Sequence, residues 1–259
     1  MTQAVRRRAD PAEETIADYD VRSPAARTVL TVVGTIAGVV LIAGLIVGLS
    51  LLLRDTRVAT SQVDVSDSAQ LTIVATDANL TIVEGEPDVL TIRSSVTSGL
   101  RRTDYQLGRR GDEIRVVSGC QTWLSPGCGV DTTLEVPPGL PVVVQTTAGD
   151  VRATAITEGV LTVSSTTGDI SASDLTVDEF SAATGSGAVR ADFAAQPFAF
   201  KATTAAGDVR ASIPTGDIAY DVMTETESGQ VDSDLVSESG GGGFVRVTTV
   251  SGDITLSSR

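Results

Sequence analysis

The sequence predicts an all-β domain built as a β-solenoid and preceded by a single transmembrane α-helix. Three observations predict this architecture: an uncharged apolar segment near the N-terminus, a glycine-centred turn that recurs every 19 to 23 residues, and apolar residues at matching positions around each turn. Aromatic residues make up only 3% of the 259 residues. The core must therefore be built from Val, Ile, Leu and Ala, which suits stacked strands.

The apolar segment, residues 28–53, contains no charged side chain. As a helix it would be about 39 Å long, enough to cross a hydrocarbon layer of roughly 30 Å. A cleaved signal peptide is the competing interpretation, but its apolar region typically has only about 7 to 15 residues. We therefore expect an uncleaved membrane anchor.

Positive charge flanks this segment unevenly. Most of it precedes the segment, at Arg6, Arg7, Arg8, Arg22 and Arg27, and only Arg54 and Arg57 follow closely. Because positively charged flanks stay in the cytoplasm, we expect a cytoplasmic N-terminus and an extracytoplasmic C-terminal domain in the cell membrane. The predicted organisation is a disordered tail (1–27), a transmembrane helix (28–53), a linker (54–64) and a β-repeat domain (65–259).

Four glycines fall on one face of the predicted helix: Gly34, Gly38, Gly44 and Gly48. They form two G-x-x-x-G pairs, which allow two membrane helices to approach closely, so a homodimer through the helix is one expected partnership. The alternative is that glycine is simply frequent in membrane helices.

The chain contains two cysteines, Cys120 and Cys128, in the segment CQTWLSPGC. If the predicted orientation holds, both lie in an oxidising compartment, where a disulfide is the expected state. Closing this short loop would stabilise the fold by about 2 to 3 kcal/mol.

The repeat is centred on a glycine that is usually followed by aspartate. The turn glycines are Gly149, Gly168, Gly187, Gly207, Gly229 and Gly252, and the turn aspartates are Asp150, Asp169, Asp208 and Asp253. Glycine supplies a backbone conformation that side chains resist, and the aspartate can bond to its own turn. The segment Leu71–Val83 fits the same frame with Ala78 in the glycine position.

Apolar columns appear when the turns are aligned. Seven residues before the glycine stand Val142, Leu161, Phe180, Phe200, Val222 and Val245; two residues after it stand Val151, Ile170, Val189, Val209, Val231 and Ile254. Alternation on both sides of the turn indicates two strands, each with one buried face. Pro214–Tyr220 and the four glycines at 240–243 do not fit the repeat.

A two-strand unit cannot bury its own apolar face, so its neighbours must stack on it. Residue types match from unit to unit in each column, which favours a β-solenoid. The alternative is an antiparallel β-sandwich or meander, in which the glycine turns would be hairpin turns.

The segment Thr133–Ala153, TLEVPPGLPVVVQTTAGDVRA, followed by the recurring TTGDI and SGDIT, resembles the DUF4097 or "putative adhesin" family of bacterial proteins. The resemblance covers roughly residues 65–259. It implies a surface-exposed, β-helix-like domain, often tethered by one N-terminal helix, with no established enzymatic activity. The chain departs from the pattern where Ala188 and Gln230 replace the turn aspartate.

Composition narrows the function. The sequence contains no histidine, which excludes Ser-His-Asp and Cys-His catalysis and most zinc sites. Its formal charge of −14 argues against nucleic acid as a partner. Stacked turn aspartates could bind calcium, but Ala188 and Gln230 interrupt their column, so we expect no metal site and no cofactor.

Two clusters of cationic residues remain. Arg152, Arg190 and Arg210 share one outward column and would pair with the turn aspartates, as a solvated face or as a strip for glycans or anionic polymers. Residues 101–115 are predicted to form a charged hairpin.

These features predict a non-catalytic, single-pass membrane protein with an adhesin-like outer domain, which would contact a cell-wall polymer or a surface protein. The alternative is an envelope-stress sensor or regulator that acts through the helix on a membrane partner.

Overall fold

The computed structural model describes residues 24–98, 102–119 and 128–259. It contains one helix, α1 (Pro24–Leu52), followed by strands. The strands, in chain order, are β1 (Asp55–Asp64), β2 (Leu71–Asp77), β3 (Asn79–Glu84), β4 (Val89–Ser98), β5 (Asp104–Arg110), β6 (Glu113–Gly119), β7 (Gly129–Val136), β8 (Val142–Ala148), β9 (Val151–Thr154), β10 (Val160–Thr167), β11 (Ile170–Leu175), β12 (Glu179–Ser186), β13 (Val189–Phe193), β14 (Ala199–Ala206), β15 (Val209–Ile213), β16 (Tyr220–Ser228), β17 (Val231–Ser233), β18 (Gly243–Ser251) and β19 (Ile254–Ser258).

Helix α1 is long and apolar enough to cross a membrane, with a mean hydropathy of 2.6 over Thr31–Leu49. It begins at Pro24, four residues before the predicted start. Proline suits this first helical position because its missing N–H would have no partner there. The rest of the predicted tail, residues 1–23, lies outside the described residues.

The strands form a ten-stranded and a nine-stranded sheet, which we call sheet A and sheet B. Along most of its length the chain alternates between them: one strand in sheet B, a glycine turn, then one strand in sheet A. We call each such pair of strands a rung. Strands β8, β10, β12 and β14 pair in parallel with their neighbours from other rungs. The predicted β-solenoid is therefore confirmed, and the sandwich alternative is not needed.

The apolar columns lie in register inside the solenoid. Phe180 is the Cα partner of both Leu161 and Phe200 in sheet B, and Val189 is aligned with Ile170 in sheet A. Phe180 and Phe200 of sheet B stack with ring centroids 6.0 Å apart, and Phe193 of sheet A meets both edge-on, with its centroid 6.1 Å from Phe180 and 5.4 Å from Phe200. This aromatic trio is fully buried.

At the C-terminal end, the rungs are not stacked in chain order. Strand β18 lies between β14 and β16 in sheet B, and β19 lies between β15 and β17 in sheet A. The last rung of the chain is thus inserted beneath the previous one. We call the outermost rung, β16 with β17, the terminal rung. The two segments that did not fit the repeat lie on the way to and from the terminal rung: residues 214–220 lead from β15 into β16, and residues 240–243 lead back into β18.

The opposite end shows a similar inversion. Strands β6 and β7 form a rung outside β2 and β3, although they come later in the chain. The predicted charged hairpin is present as β5 and β6, which pair antiparallel. The predicted linker at 54–64 is instead strand β1, which pairs antiparallel with β4 along its whole length. Its side chains are mostly exposed, so backbone pairing holds it where the sequence shows little apolar periodicity.

Candidate interaction surface

The turn glycines stack at one corner of the solenoid, with φ between +111° at Gly149 and +156° at Gly229. Side chains disfavour this left-handed region. There is a second constraint that the sequence pattern did not show. A Cβ on Gly187 would lie 2.6 Å from the carbonyl carbon of Gly168 in the neighbouring rung. Glycine is needed here because two backbones touch.

The turn aspartates link one rung to the next. Asp150 accepts a hydrogen bond from the backbone N–H of Asp169 (3.1 Å), and Asp169 accepts one from the N–H of Ala188 (2.9 Å). The expectation that each aspartate bonds to its own turn is therefore wrong for this pair. The carboxylate reaches the following rung because rungs are only about 4.8 Å apart.

This turn-aspartate ladder also explains Gln230. Asp208 accepts the N–H of Asp253 (3.0 Å), and Asp253 accepts the N–H of Gln230 (2.9 Å). Gln230 lies in the terminal rung, where no further turn N–H needs an acceptor. Ala188 breaks the ladder inside the stack, and nothing in the structure explains it.

Hydrogen bonding lowers the pKa of two ladder carboxylates, those of Asp169 and Asp208. The N–H of Ala188 lowers the pKa of Asp169 most strongly; partial burial opposes this, and the nearby Arg190 guanidinium lowers the pKa further. For Asp208, the N–H of Asp253 lowers the pKa most, burial again opposes it, and Arg210 adds to the lowering.

The predicted arginine column lies on the outer face of sheet A, beside the ladder. We call it the arginine strip: Arg152, Arg190 and Arg210. The strip guanidinium groups lie 3.4, 3.2 and 2.9 Å from Asp150, Asp169 and Asp208, respectively. Arg190 therefore reaches back to the preceding rung, whereas the other two pair within their own.

A shallow groove of about 330 Å³ runs beside Arg190 and Arg210. Three alanines and Asp192 also line the groove, and its other lining residues carry small hydroxyl side chains: Ser171, Ser173, Ser212, Thr255 and Ser257. Guanidinium groups and hydroxyls repeated along a groove can form many weak hydrogen bonds to an extended polar ligand. Within residues 24–98, 102–119 and 128–259, no three His, Cys, Asp or Glu side chains are placed to hold a metal ion.

The sequence profile of the Toastrack DUF4097 family matches residues 139–257. We call this matched region, residues 139–257, the DUF4097 domain. The family resemblance is thus confirmed for the rungs that carry the turn-aspartate ladder and the arginine strip, while the N-terminal rungs precede the matched region.

Solved structures with a similar fold include a "putative cell adhesion protein" from Clostridium sporogenes and a "putative adhesin" from Bacteroides fragilis. The first is 11% identical, with a TM-score of 0.49, covering 79% of this chain and 100% of that chain. The second is 13% identical, with a TM-score of 0.42, covering 78% of this chain and 97% of that chain. A comparison with curated proteins finds no match.

The remaining predicted site residues precede residues 139–257 in the sequence. Cys128 is disulfide-bonded and directly precedes β7, but Cys120 lies outside the described residues, so their pairing stays a prediction. The segment between them joins β6 to β7, where the rungs of the DUF4097 domain have a glycine turn. The four helix glycines lie in α1, and a Cβ on any of them would meet no atom within 4 Å.

A column of largely buried hydroxyls was not predicted from the sequence, where only the apolar residues were taken to face inward. Thr184 donates a hydrogen bond to the carbonyl of Gly168 (3.1 Å), and Thr204 donates one to the carbonyl of Gly187 (3.1 Å). A usable signal existed, since a hydroxyl residue stands three positions before every turn glycine: Thr146, Ser165, Thr184, Thr204, Thr226 and Thr249. Four of these hydroxyls donate to the carbonyl of a turn glycine in the adjacent rung, whereas Thr146 and Ser165 donate to the carbonyl two residues further along their own strand.

Proposed function

We propose that this chain is a single-pass membrane protein whose DUF4097 domain is displayed outside the cell and binds a cell-wall polymer or a surface protein without catalysing a reaction. Helix α1 would be the anchor, with the N-terminus in the cytoplasm. The length and apolarity of α1 support the anchor, and the arginines that precede it support the orientation.

The observation that carries this proposal is the in-register repetition of one outer surface. Parallel pairing places Arg190 and Arg210 on adjacent strands as Cα partners, with Ser171 aligned beside Arg190. Equivalent groups thus recur at roughly 4.8 Å intervals along the solenoid. A repeating polymer could engage several of them at once, and linked weak contacts combine into strong binding.

The test is co-sedimentation of the full chain, held in lipid nanodiscs, with purified bacterial cell walls. Replacing Arg152, Arg190 and Arg210 by alanine should weaken binding at least about tenfold, because each contact contributes to one multivalent attachment. Arg93→Ala is a matched control. Arg93 lies on the same sheet, is similarly exposed and pairs with Glu135 at 2.9 Å. Equal binding by the triple variant and the wild type would refute a role for the strip.

The helix glycines support a further part of the proposal, a homodimer through α1. Replacing Gly38 and Gly44 by leucine should reduce chemical crosslinking of the full chain in membranes, because bulky side chains keep two helices apart. Unchanged crosslinking would show that this face is not a dimer contact.

A further inference from the structure

The terminal rung leaves part of one strand edge unpaired. Strand β16 is the last strand of sheet B. Near its start, the carbonyl of Tyr220 accepts the N–H of Glu238 (2.8 Å), and the N–H of Val222 donates to the hydroxyl of Ser237 (3.1 Å). Successive peptide groups along a strand alternate in direction, so those of Thr224 and Thr226 face the same open edge. No described residue bonds to the peptide groups of Thr224 and Thr226 on that edge.

This end of the solenoid is predominantly acidic, although Arg246 lies on the adjacent strand β18 as the Cα partner of Met223, with its guanidinium 3.4 Å from the sulfur of Met223. Residues 211–245 contain no lysine or arginine, and their acidic residues are Asp217, Asp221, Glu225, Glu227, Asp232, Asp234 and Glu238. In the central rungs, by contrast, Asp150, Asp169 and Asp208 each lie next to an arginine. Among the described residues, none of these seven carboxylates forms an ion pair, and carboxylates beside an open strand edge complement a positively charged strand.

Apolar side chains lie among these carboxylates. Met223 is 53% exposed and Phe244 is 46% exposed, and Phe244 is the Cα partner of Asp221 on the adjacent strand. Acidic residues alone can protect a strand edge from aggregation. Exposed Met and Phe side chains beside that edge do not protect it from aggregation, but they are suitable contacts for a bound segment.

We propose that the β16 edge binds an extended, cationic polypeptide segment by strand addition. Backbone hydrogen bonds to Thr224 and Thr226 would fix the segment, and alternate Lys or Arg side chains would face Glu225 and Glu227 on the outer surface. The intervening residues would be Thr or Val and would extend the inward column that contains Val222. This inference rests on the proposed surface role, because the partner must be outside the cell.

The probe is a fluorescent nine-residue peptide in which lysine alternates with threonine and valine. Its binding to the full chain, in nanodiscs of zwitterionic lipid, is followed by fluorescence anisotropy. Glu225→Lys should weaken binding at least about tenfold, because it places like charges opposite each other. Glu179→Lys, at the exposed start of β12 on the same sheet, should change affinity less than about twofold. Equal losses in both variants, or no binding to the wild type, would overturn the proposal.

A second peptide separates strand addition from simple charge attraction and requires no change in the protein. Methylating the peptide's amide nitrogens on one edge keeps its charge but removes its backbone donors. The methylated peptide should bind at least about tenfold more weakly; equal binding would overturn strand addition.

Two controls complete the design. The first control is the oligomeric state of the chain without peptide. If the wild type dimerises and Glu225→Lys abolishes the dimer, a second copy occupies the edge and the proposal is overturned. The triple arginine variant should bind the peptide normally, so a failure of wall binding and a failure of peptide binding can be told apart.

Discussion

The central rungs and the terminal rung share one repeat but use it differently. In the central rungs, Phe180 and Val189 are fully buried, whereas Val231 of the terminal rung is 45% exposed. The ladder aspartate also becomes Gln230 in the terminal rung. The comparison indicates that the residues of the repeat serve contact with a following rung, because both the full burial and the turn aspartate are lost where no rung follows.

The largest contrast is expected in the core. Phe180→Ala should lower the free energy of unfolding by about 3 to 5 kcal/mol, because it removes one fully buried ring of the aromatic trio and leaves a cavity. Val222→Ala, in the same column of the terminal rung, should cost less than about 1 kcal/mol because Val222 is only partly buried. Denaturant unfolding of the full chain in detergent, followed by circular dichroism, measures both. Similar losses would contradict the distinction between the rungs.

The turn glycines provide the second contrast. Gly187→Ala should cost roughly 2 to 4 kcal/mol, since backbone strain and a clash with the adjacent rung add together. Gly229→Ala creates the same clash with Gly252, but only at the terminal rung. Hydrogen exchange should then show loss of protection confined to β16 and β17. Global loss of protection in Gly229→Ala would show that the terminal rung is needed for the whole stack.

The ladder predicts a stabilising change. Ala188→Asp would supply the missing acceptor for the backbone N–H of Asp208 and should stabilise the domain by about 0.5 to 1 kcal/mol. Gln230→Asp introduces the same charge where no following rung exists and should be neutral or slightly destabilising. Unfolding midpoints of the two variants and the wild type measure both effects. Equal changes in Ala188→Asp and Gln230→Asp would rule out an inter-rung role for the carboxylate.

The smallest effect is a dependence on pH. The pKa of Asp169 in the folded domain lies below its ordinary value of 3.8, so its contribution is present above that value and is lost as pH falls through the folded pKa. Asp169→Asn should lower stability by no more than about 0.5 kcal/mol at neutral pH, because the site is largely exposed. Melting curves of both proteins should converge in more acidic solution. A constant difference down to low pH would assign the effect to packing.

The period of the sequence repeat was enough on its own to predict which residues fill the interior of the solenoid. Columns such as Val142 and Leu161 consist of apolar residues at fixed distances from a glycine, and parallel stacking aligns them directly. The arginine strip was predictable for the same reason. Strand β1 was not, because its side chains are mostly exposed and carry little apolar periodicity.

The order of the last rungs could not be derived from the repeat. Gly229 and Gly252 occupy equivalent turns, so column matching cannot decide which rung lies outside. Gln230 was the one local hint, but its meaning depends on knowing that the aspartate bonds to the following rung. The buried hydroxyls were not predicted because Thr and Ser are commonly exposed, and only the structure shows the carbonyls they pair with.

The inserted position of β18 and β19 sets a limit on how the protein can be made. A ribosome delivers β16 and β17 before the strands that must lie beneath them. Native folding therefore cannot proceed one rung at a time as the chain emerges. The terminal rung has to wait, detached or misplaced, until residues 243–258 have left the ribosome, so the outermost rung can dock only after strands made later than itself.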